Sequence, residues 1–240
     1  MDVVIVKNYI EMSKYAAGLV GECIKERDQP VIGLATGGTP IGMYQLLVRQ
    51  YRAGLLSFKH VRTFNLDEYI GLEPAHAKSY HRYMQEHLFS HVDIPPDQTF
   101  LPDGIAHNLR MECRRYEKLL KKIGPPDLQI LGIGENGHIG FNEPGSDLDS
   151  GTHVVRLAAS TRKANARYFQ SLENVPTHAI TMGVKSILRS KKIVLLASGD
   201  RKAEAVRRLL EGNPDPDFPA SALYQHPNVT LIADEKAFYS

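Results

Sequence analysis

The segment Gly134–Gly145 concentrates side chains that can transfer protons. Its twelve residues include an imidazole at His138, a carboxylate at Glu143, two side-chain amides and four glycines. It follows the β-forming run Leu128–Ile133, and in open α/β sheets ligands bind beyond the carboxyl ends of the strands. Because histidine titrates near neutral pH, an imidazole within loop reach of a carboxylate predicts an acid/base site.

The overlapping segment Gly132–Gly137 also has the glycine spacing of a dinucleotide-binding pattern, with glycines at 132, 134 and 137. That pattern requires a helix at its last glycine and an acidic residue about 20 positions later. Here the glycine- and proline-containing stretch 138–145 follows, and the later region reads His153–Arg156 without an acidic residue. The context therefore argues against a dinucleotide cofactor.

A glycine turn between a predicted strand and a predicted helix suggests an anion site. The strand is Val31–Ala35, and Pro40 is expected at the first position of the helix. The turn consists of Thr36, Gly37, Gly38 and Thr39. Its N–H groups and hydroxyls could hold an anion at the helix start. The spelling differs from a nucleotide P-loop, so a single phosphate is expected; the alternative is a plain tight turn.

Two cations are candidates to complete that phosphate site. Lys202 follows the apolar strand Ile193–Ala197 and a short turn, which places it at the predicted ligand edge. Arg167 lies in the basic helical segment Thr161–Arg167. For each of them alone, the alternative is an ordinary solvated surface charge.

Adjacent carboxylates end a third predicted strand, Val61–Leu66. Side chains alternate between faces along a strand, so Asp67 and Glu68 are not expected to enter the same pocket. If Asp67 points inward, partial desolvation would raise its pKa toward that of a general base. The alternative is a helix cap or turn carboxylate.

The elements that position these groups alternate between strands and helices along the chain. This order predicts an α/β fold with an open, mostly parallel, doubly wound Rossmann-like sheet and helices on both faces. The predicted strands are 3–6, 31–35, 61–66, 128–133, 179–182, 193–197 and 229–233. The predicted helices are 10–27, 41–53, 79–89, 109–123, 161–169, 184–190 and 202–210. No linker divides the sequence, so one domain over residues 1–240 is expected.

Composition narrows the classes of function. The chain has 240 residues, 42% of them hydrophobic, and a formal charge of +2, which gives no broad basic field for nucleic acid. No apolar run approaches the ~18 residues of a membrane span and no signal peptide is evident, so a cytoplasmic protein is expected. Cys23 and Cys113 suit neither a disulfide framework nor a zinc site. His87 and His91 lack a third ligand, so we expect surface histidines.

Three motifs together resemble the glucosamine-6-phosphate deaminase family. They are Gly33–Pro40, Asn65–Tyr69 and Gly137–Gly145, the last of which contains the highly specific sequence Phe-Asn-Glu-Pro. The segment Arg162–Arg167 and the turn Ser198–Lys202 follow in the family's order. The resemblance therefore spans nearly the whole chain.

The resemblance implies conversion of glucosamine 6-phosphate and water to fructose 6-phosphate and ammonia, without an organic cofactor or a metal. By the family pattern, His138 would move the ring-opening proton, with Asn136 and Glu143 orienting its imidazole. Asp67 would abstract the C2 proton and return a proton at C1. The substrate phosphate would be held by Thr36, Gly37, Gly38, Thr39, Arg167 and Lys202.

Two positions depart from patterns within that family. Asn136 stands where some members carry an aspartate, so the negative charge beside the imidazole would come from Glu143. His153 and Val155 stand where members activated by N-acetylglucosamine 6-phosphate carry basic residues. We therefore expect no such activation, and a monomer or a small homo-oligomer rather than the hexamer of those members.

Two other functions remain open from the sequence. A 6-phosphogluconolactonase-like sugar-phosphate hydrolase would also have a Gly-His loop after a strand, but it would not explain residues 141–144 and would need no base for C2. A non-catalytic sugar-phosphate sensor would keep the phosphate turn and lose the base or the imidazole, and both are present here.

Overall fold

The computed structural model describes residues 1–240, which form ten strands and eight α-helices. The strands are β1 (Asp2–Val6), β2 (Val31–Leu34), β3 (Arg62–Asn65), β4 (Asp67–Tyr69), β5 (Thr99–Phe100), β6 (Leu128–Gly132), β7 (His153–Arg156), β8 (His178–Thr181), β9 (Ile193–Ala197) and β10 (Val229–Asp234). The helices are α1 (Tyr9–Lys25), α2 (Ile41–Arg52), α3 (Tyr80–His87), α4 (Leu109–Ile123), α5 (Ala159–Asn165), α6 (Val184–Ile187), α7 (Ala203–Leu210) and α8 (Glu235–Tyr239).

Seven strands form one parallel sheet in the order β1-β10-β9-β6-β2-β3-β5. The chain runs outward from β2 through β3 to β5, and in the other direction from β6 through β9 to β10. The strand order therefore reverses between β2 and β6, which is where an open α/β sheet forms its ligand crevice. The predicted mostly parallel α/β fold is confirmed.

One predicted strand lies outside that sheet. The sequence predicts residues 179–182 in the parallel sheet, but β8 forms the centre of a separate antiparallel sheet with the order β4-β8-β7. The chain changes sheets at Leu66, whose N–H donates to the carbonyl of Leu34 while its own carbonyl accepts from the N–H of Met182. The apolar run ending at Leu66 continues directly into Asp67, so the sequence gives no sign of this transfer.

The helices agree with the predicted order, with shifts at their ends. Asn8 begins α1 because its side-chain oxygen accepts from the N–H groups of Ile10 and Glu11. Pro40 is the N-cap of α2, whereas the sequence predicts it as the first helical residue. Lys202 lies in a 3₁₀ turn, Asp200–Lys202, just before α7.

A single cluster of 51 buried hydrophobic residues includes side chains from the five inner strands of the parallel sheet. The two edge strands, β1 and β5, contribute none. Burying aliphatic side chains on both faces of parallel strands is the main favourable term that holds such a sheet rigid. Cys23 and Cys113 are buried free thiols. No helix is both long enough and apolar enough to span a membrane.

Candidate active site

A cavity of about 160 Å³ lies at the point where the strand order reverses, beyond the ends of β2 and β6. It brings together side chains that are far apart in sequence. The predicted residues that line it are Thr36, Gly37, Gly38, Thr39, Asp67, His138, Arg167 and Lys202. Asn136 and Glu143 do not line this cavity; they contact Nδ1 of the His138 ring.

The imidazole of His138 is held through a side-chain amide. His138 Nδ1 lies 2.6 Å from Asn136 Oδ1, and Asn136 Nδ2 donates to Glu143 Oε2 over 2.9 Å. Since an amide oxygen only accepts, Nδ1 carries the proton and Nε2 keeps its lone pair. Glu143 Oε2 is itself 3.6 Å from Nδ1. This arrangement leaves Nε2 of a neutral imidazole available as a base.

The surroundings of His138 favour that neutral form. Burial lowers the pKa of the imidazole below its ordinary value, and the positive charge of Lys202 lowers it further. The carboxylates of Glu143 and Glu135 act in the opposite direction. Burial is the largest of these effects, so His138 is mainly neutral at neutral pH and gains a proton only when it reacts.

Glycines let the loop bend back against its own histidine. The N–H of Gly134 donates to the carbonyl of His138 over 2.9 Å, and a Cβ at residue 134 would lie 2.2 Å from the imidazole ring. Gly137 has φ +82°, and the ring of Phe218 leaves no room for a side chain there. Asn142 fixes the far side of the loop, donating to the carbonyls of Ile139 and Met182.

Gly134→Ala is therefore expected to lower catalytic activity about 10- to 100-fold, because the new methyl group displaces the imidazole and small misplacements of reacting groups are costly. The measurement is kcat on the sugar phosphate that the sequence resemblance implies, alongside thermal unfolding. Gly18→Ala in α1 is the control, since residue 18 does not line the cavity and a Cβ there meets no atom within 4 Å. Equal activities of the two folded variants would contradict the proposed role of this close contact.

Asp67 presents a carboxylate to the same cavity from the start of β4. The residue is 5% exposed, and Gly140 of the histidine loop lies against it. Burial raises the pKa of Asp67 well above its ordinary value, and repulsion from Glu68 adds to this, with no hydrogen bond to offset them. A carboxylate that is poorly stabilised as an anion is a stronger base than an exposed one.

Glu68 points away from this cavity, as the alternation of faces predicted. Its carboxylate accepts from the N–H groups of Tyr80 and His81 at the start of α3 and lies 2.8 Å from His81 Nδ1. Ser79 is the N-cap of α3, and Glu68, not Asp67, supplies further acceptors for its first N–H groups. Through these hydrogen bonds, the strand that carries Asp67 fixes the position of α3.

The turn after β2 leaves backbone donors free. Gly37 has φ +91°, a conformation that favours glycine, and its carbonyl accepts from the hydroxyl of Tyr83 over 2.6 Å. The carbonyl of Gly38 accepts from the hydroxyl of Tyr9. With these carbonyls engaged, the N–H groups of Gly38 and Thr39 have no acceptor in the protein. Free N–H groups before a helix are suited to an anion.

The two predicted cations flank that turn in the cavity lining. The guanidinium of Arg167 lies over the ring of Tyr168, 4.8 Å from its centroid. Burial lowers the pKa of Lys202, and the positive charges of Arg167 and Arg201 lower it further, while Glu135 opposes them. A bound anion would relieve this repulsion. No group of three or more His, Cys, Asp or Glu side chains is placed to hold a metal ion.

A family model described as glucosamine-6-phosphate isomerases/6-phosphogluconolactonase matches residues 9–232. The chain belongs to this family. A similar member, the glucosamine-6-phosphate deaminase of Bacillus velezensis, is 53% identical over 237 residues, which cover 99% of this chain and 98% of that protein. The glucosamine-6-phosphate deaminase of Geobacillus sp. is 54% identical over 230 residues, covering 96% and 92% respectively.

Solved structures from both branches of the isomerase/lactonase family share the fold. A monomeric glucosamine-6-phosphate deaminase has a TM-score of 0.98 at 53% identity, covering 99% of this chain and 98% of that chain. A 6-phosphogluconolactonase from Trypanosoma cruzi has a TM-score of 0.80 at 21% identity, covering 98% and 95%. The second likeness shows the fold alone.

This member of the family also lines its cavity with residues that sequence reasoning missed. They are Tyr80, Phe141, Asn165 and Tyr168. Tyr80 stacks on Phe141 with ring centroids 6.1 Å apart, and Asn165 donates to the hydroxyl of Tyr69. Phe141 could have been found from its place in the motif at 141–144. Tyr80 had no local signal, because the hydrogen bonds that Glu68 accepts from α3 bring it to the site.

Proposed function

We propose that this chain is a glucosamine-6-phosphate deaminase, which converts glucosamine 6-phosphate and water to fructose 6-phosphate and ammonia. One observation carries the proposal. A single cavity contains a neutral imidazole at His138, a buried carboxylate without a hydrogen-bond donor at Asp67, and a set of anion donors without protein acceptors at the turn after β2. These are the groups that ring opening, proton transfer at C2 and phosphate binding each require.

His138 acts first as the base and then as the acid in ring opening. Its Nε2 accepts the proton of the O1 hydroxyl, and the C1–O5 bond breaks as the C1 carbonyl forms. The imidazolium then gives the proton to O5, so the histidine returns to its neutral form. Asn136 holds the ring through Nδ1, and the negative charge of Glu143 stabilises the transient imidazolium.

Asp67 acts as the base and then as the acid in the isomerisation. Its carboxylate takes the proton from C2 of the open-chain amino sugar, and the electrons of that C–H bond form a C1–C2 double bond. O1 receives its proton from the substrate's own C2 ammonium group, which leaves a neutral enolamine. The carboxylic acid then returns a proton to C1, which leaves an imine at C2. Water adds to C2 and ammonia departs, giving the ketose. The raised pKa of Asp67 supports both its uptake and its return of the proton.

The deciding assay measures ammonia release from glucosamine 6-phosphate, coupled to formation of fructose 6-phosphate. A deaminase produces both in equal amounts. Hydrolysis of 6-phosphogluconolactone without ammonia release would favour the lactonase, and binding of sugar phosphate without turnover would indicate a sensor. Phe141–Pro144 and the similarity at 53% identity to proteins named deaminases favour the first outcome.

The working unit that we propose is one chain with residues 1–240 as one domain. The continuous core of 51 buried residues and the similarity to a deaminase described as monomeric support this unit. We expect light scattering to give a mass near 26.8 kDa, and we expect hyperbolic kinetics that N-acetylglucosamine 6-phosphate leaves unchanged. A stable larger assembly, or activation by that compound, would contradict the proposal.

A further inference from the structure

A second cavity of about 380 Å³ opens beside the first, and four of its twelve lining residues are cations. Four basic residues contribute to it: Lys163, Arg167, Arg201 and Lys202. They come from α5, from the 3₁₀ turn that follows it and from the turn after β9. Glu135 is the single carboxylate in the lining. The two cavities share five lining residues, among them His138, Arg167 and Lys202, so they are adjacent.

None of these four cations takes part in a salt bridge within the protein. Some basic side chains elsewhere are paired; Arg207, for example, contacts both Glu204 and Glu211. Bringing like charges together costs free energy that falls with distance and with solvent exposure. Four cations that face a single carboxylate, Glu135, give the cavity an excess of positive charge, which a bound anion would stabilise.

A buried hydroxyl in the same cavity gives a second, independent indication of a ligand. Thr161 lines the cavity and is 5% exposed, and its Oγ1 has no hydrogen-bond partner. Leaving a buried hydroxyl unpaired costs about 1–3 kcal/mol. The hydroxyl of Thr161 is therefore available as a donor to an anion that enters this cavity.

The number of cations exceeds what one phosphate needs. In the proposed function, the substrate phosphate binds the turn after β2 together with Arg167 and Lys202. Lys163 and Arg201 remain uncompensated, and their two positive charges match a dianionic phosphoryl group better than a singly charged carboxylate. A guanidinium can also bind phosphoryl oxygens with two parallel hydrogen bonds.

We propose that the cavity lined by Lys163 and Arg201 is a second phosphoryl subsite, so that the protein binds compounds with two phosphoryl groups more tightly than monophosphates. The proposal rests on the proposed function only for the position of the first phosphate. Such compounds would compete with the substrate, because Arg167 and Lys202 belong to both subsites.

The test is calorimetric titration of the full chain with four probes. Inorganic phosphate and fructose 6-phosphate carry one phosphoryl group, whereas pyrophosphate and fructose 1,6-bisphosphate carry two. The variant is Lys163→Met with Arg201→Met. The matched control is Arg114→Met with Lys118→Met, which removes the same charge from an exposed face of α4.

The wild type should bind at least one two-phosphoryl probe about tenfold more tightly than its monophosphate counterpart, a difference of about 1.4 kcal/mol. In the double variant this preference should fall to within about twofold, while the affinity for inorganic phosphate is retained. The control variant should keep the tenfold preference. A preference for pyrophosphate would indicate adjacent subsites, and one for the bisphosphate would indicate subsites separated by a sugar.

If the double variant weakened the binding of all four probes equally, the proposal would be overturned, because the two cations would then act as a general electrostatic field instead of a subsite. A wild type without any preference would do the same. These binding measurements do not require turnover. Ammonia release is measured separately, so failure of the subsite and failure of the deaminase function can be distinguished.

Discussion

Asp67→Asn is expected to reduce kcat for ammonia release from glucosamine 6-phosphate by at least about 100-fold, the usual contribution of one general base. The amide has nearly the same shape but cannot take the C2 proton. KM should change much less, because the phosphate turn and its cations are untouched. In the wild type, the acidic limb of the pH profile should lie above the ordinary range of an aspartate, since the raised pKa keeps Asp67 protonated at low pH.

The exposed residue Asp28 provides the control, and Asp28→Asn should leave kcat within about twofold. A lactonase needs no base for C2, so a fully active Asp67→Asn protein would contradict the isomerisation step. Exchange of the C2 proton with deuterated solvent gives an independent measurement. It should disappear in the variant together with turnover.

The same substitution should stabilise the protein, and increasingly so as pH rises. The pKa of Asp67 is higher in the folded than in the unfolded chain, so the folded state loses stability as pH rises through the folded-state value. The side-chain amide of the variant cannot ionise, so the variant does not lose folding stability in this way as pH rises. An elevation of one pKa unit corresponds to about 1.4 kcal/mol, or about 3–6 °C in Tm for a chain of this size. A Tm difference that is unchanged between pH 5 and pH 8 would contradict the raised pKa.

The parallel sheet could be predicted from the sequence because its strands are continuous apolar runs separated by helical periodicity. The small antiparallel sheet could not. Only Leu66 separates β3 from β4, and the predicted strand 61–66 ends before β4 begins, so the sequence indicates no separate strand there. β7 is only four residues long and half exposed, and β8 has the apolar character of a parallel strand. Which sheet a strand joins depends on the long-range pairing of Leu66 with Met182.

More of the candidate site than of the antiparallel sheet could be predicted from the sequence. Turns at the carboxyl ends of parallel strands converge whatever the details of the helices, so Thr36 and His138 could be assigned to one edge before the structure was known. Two features required coordinates. The contact between Asn136 and Glu143 depends on how the loop folds back, and the open space beside Lys163 depends on the placement of α5. The catalytic roles themselves stay predictions.

Glu143→Gln should lower kcat on glucosamine 6-phosphate about 100-fold, at the lower end of the range for acid–base catalysis, with little change in phosphate affinity. The carboxylate is the nearest negative charge to the imidazole, and it raises the pKa of His138 against the effect of burial. Its loss makes the imidazolium of the ring-opening step harder to form. The glutamine can also donate to the amide of Asn136, which would turn that amide and present an N–H to Nδ1 in place of an oxygen.

Asp147→Asn is the matched control, because Asp147 is an exposed carboxylate in the same loop whose side chain accepts only from the N–H of Asp149. Its kcat should stay within about twofold of the wild-type value. Nitrogen-15 NMR of the imidazole should show a lower pKa for His138 in Glu143→Gln than in either the wild type or the control. Near-normal rates from fructose 6-phosphate and ammonia would contradict the role of Glu143, because ring closure in that direction uses the same proton transfer.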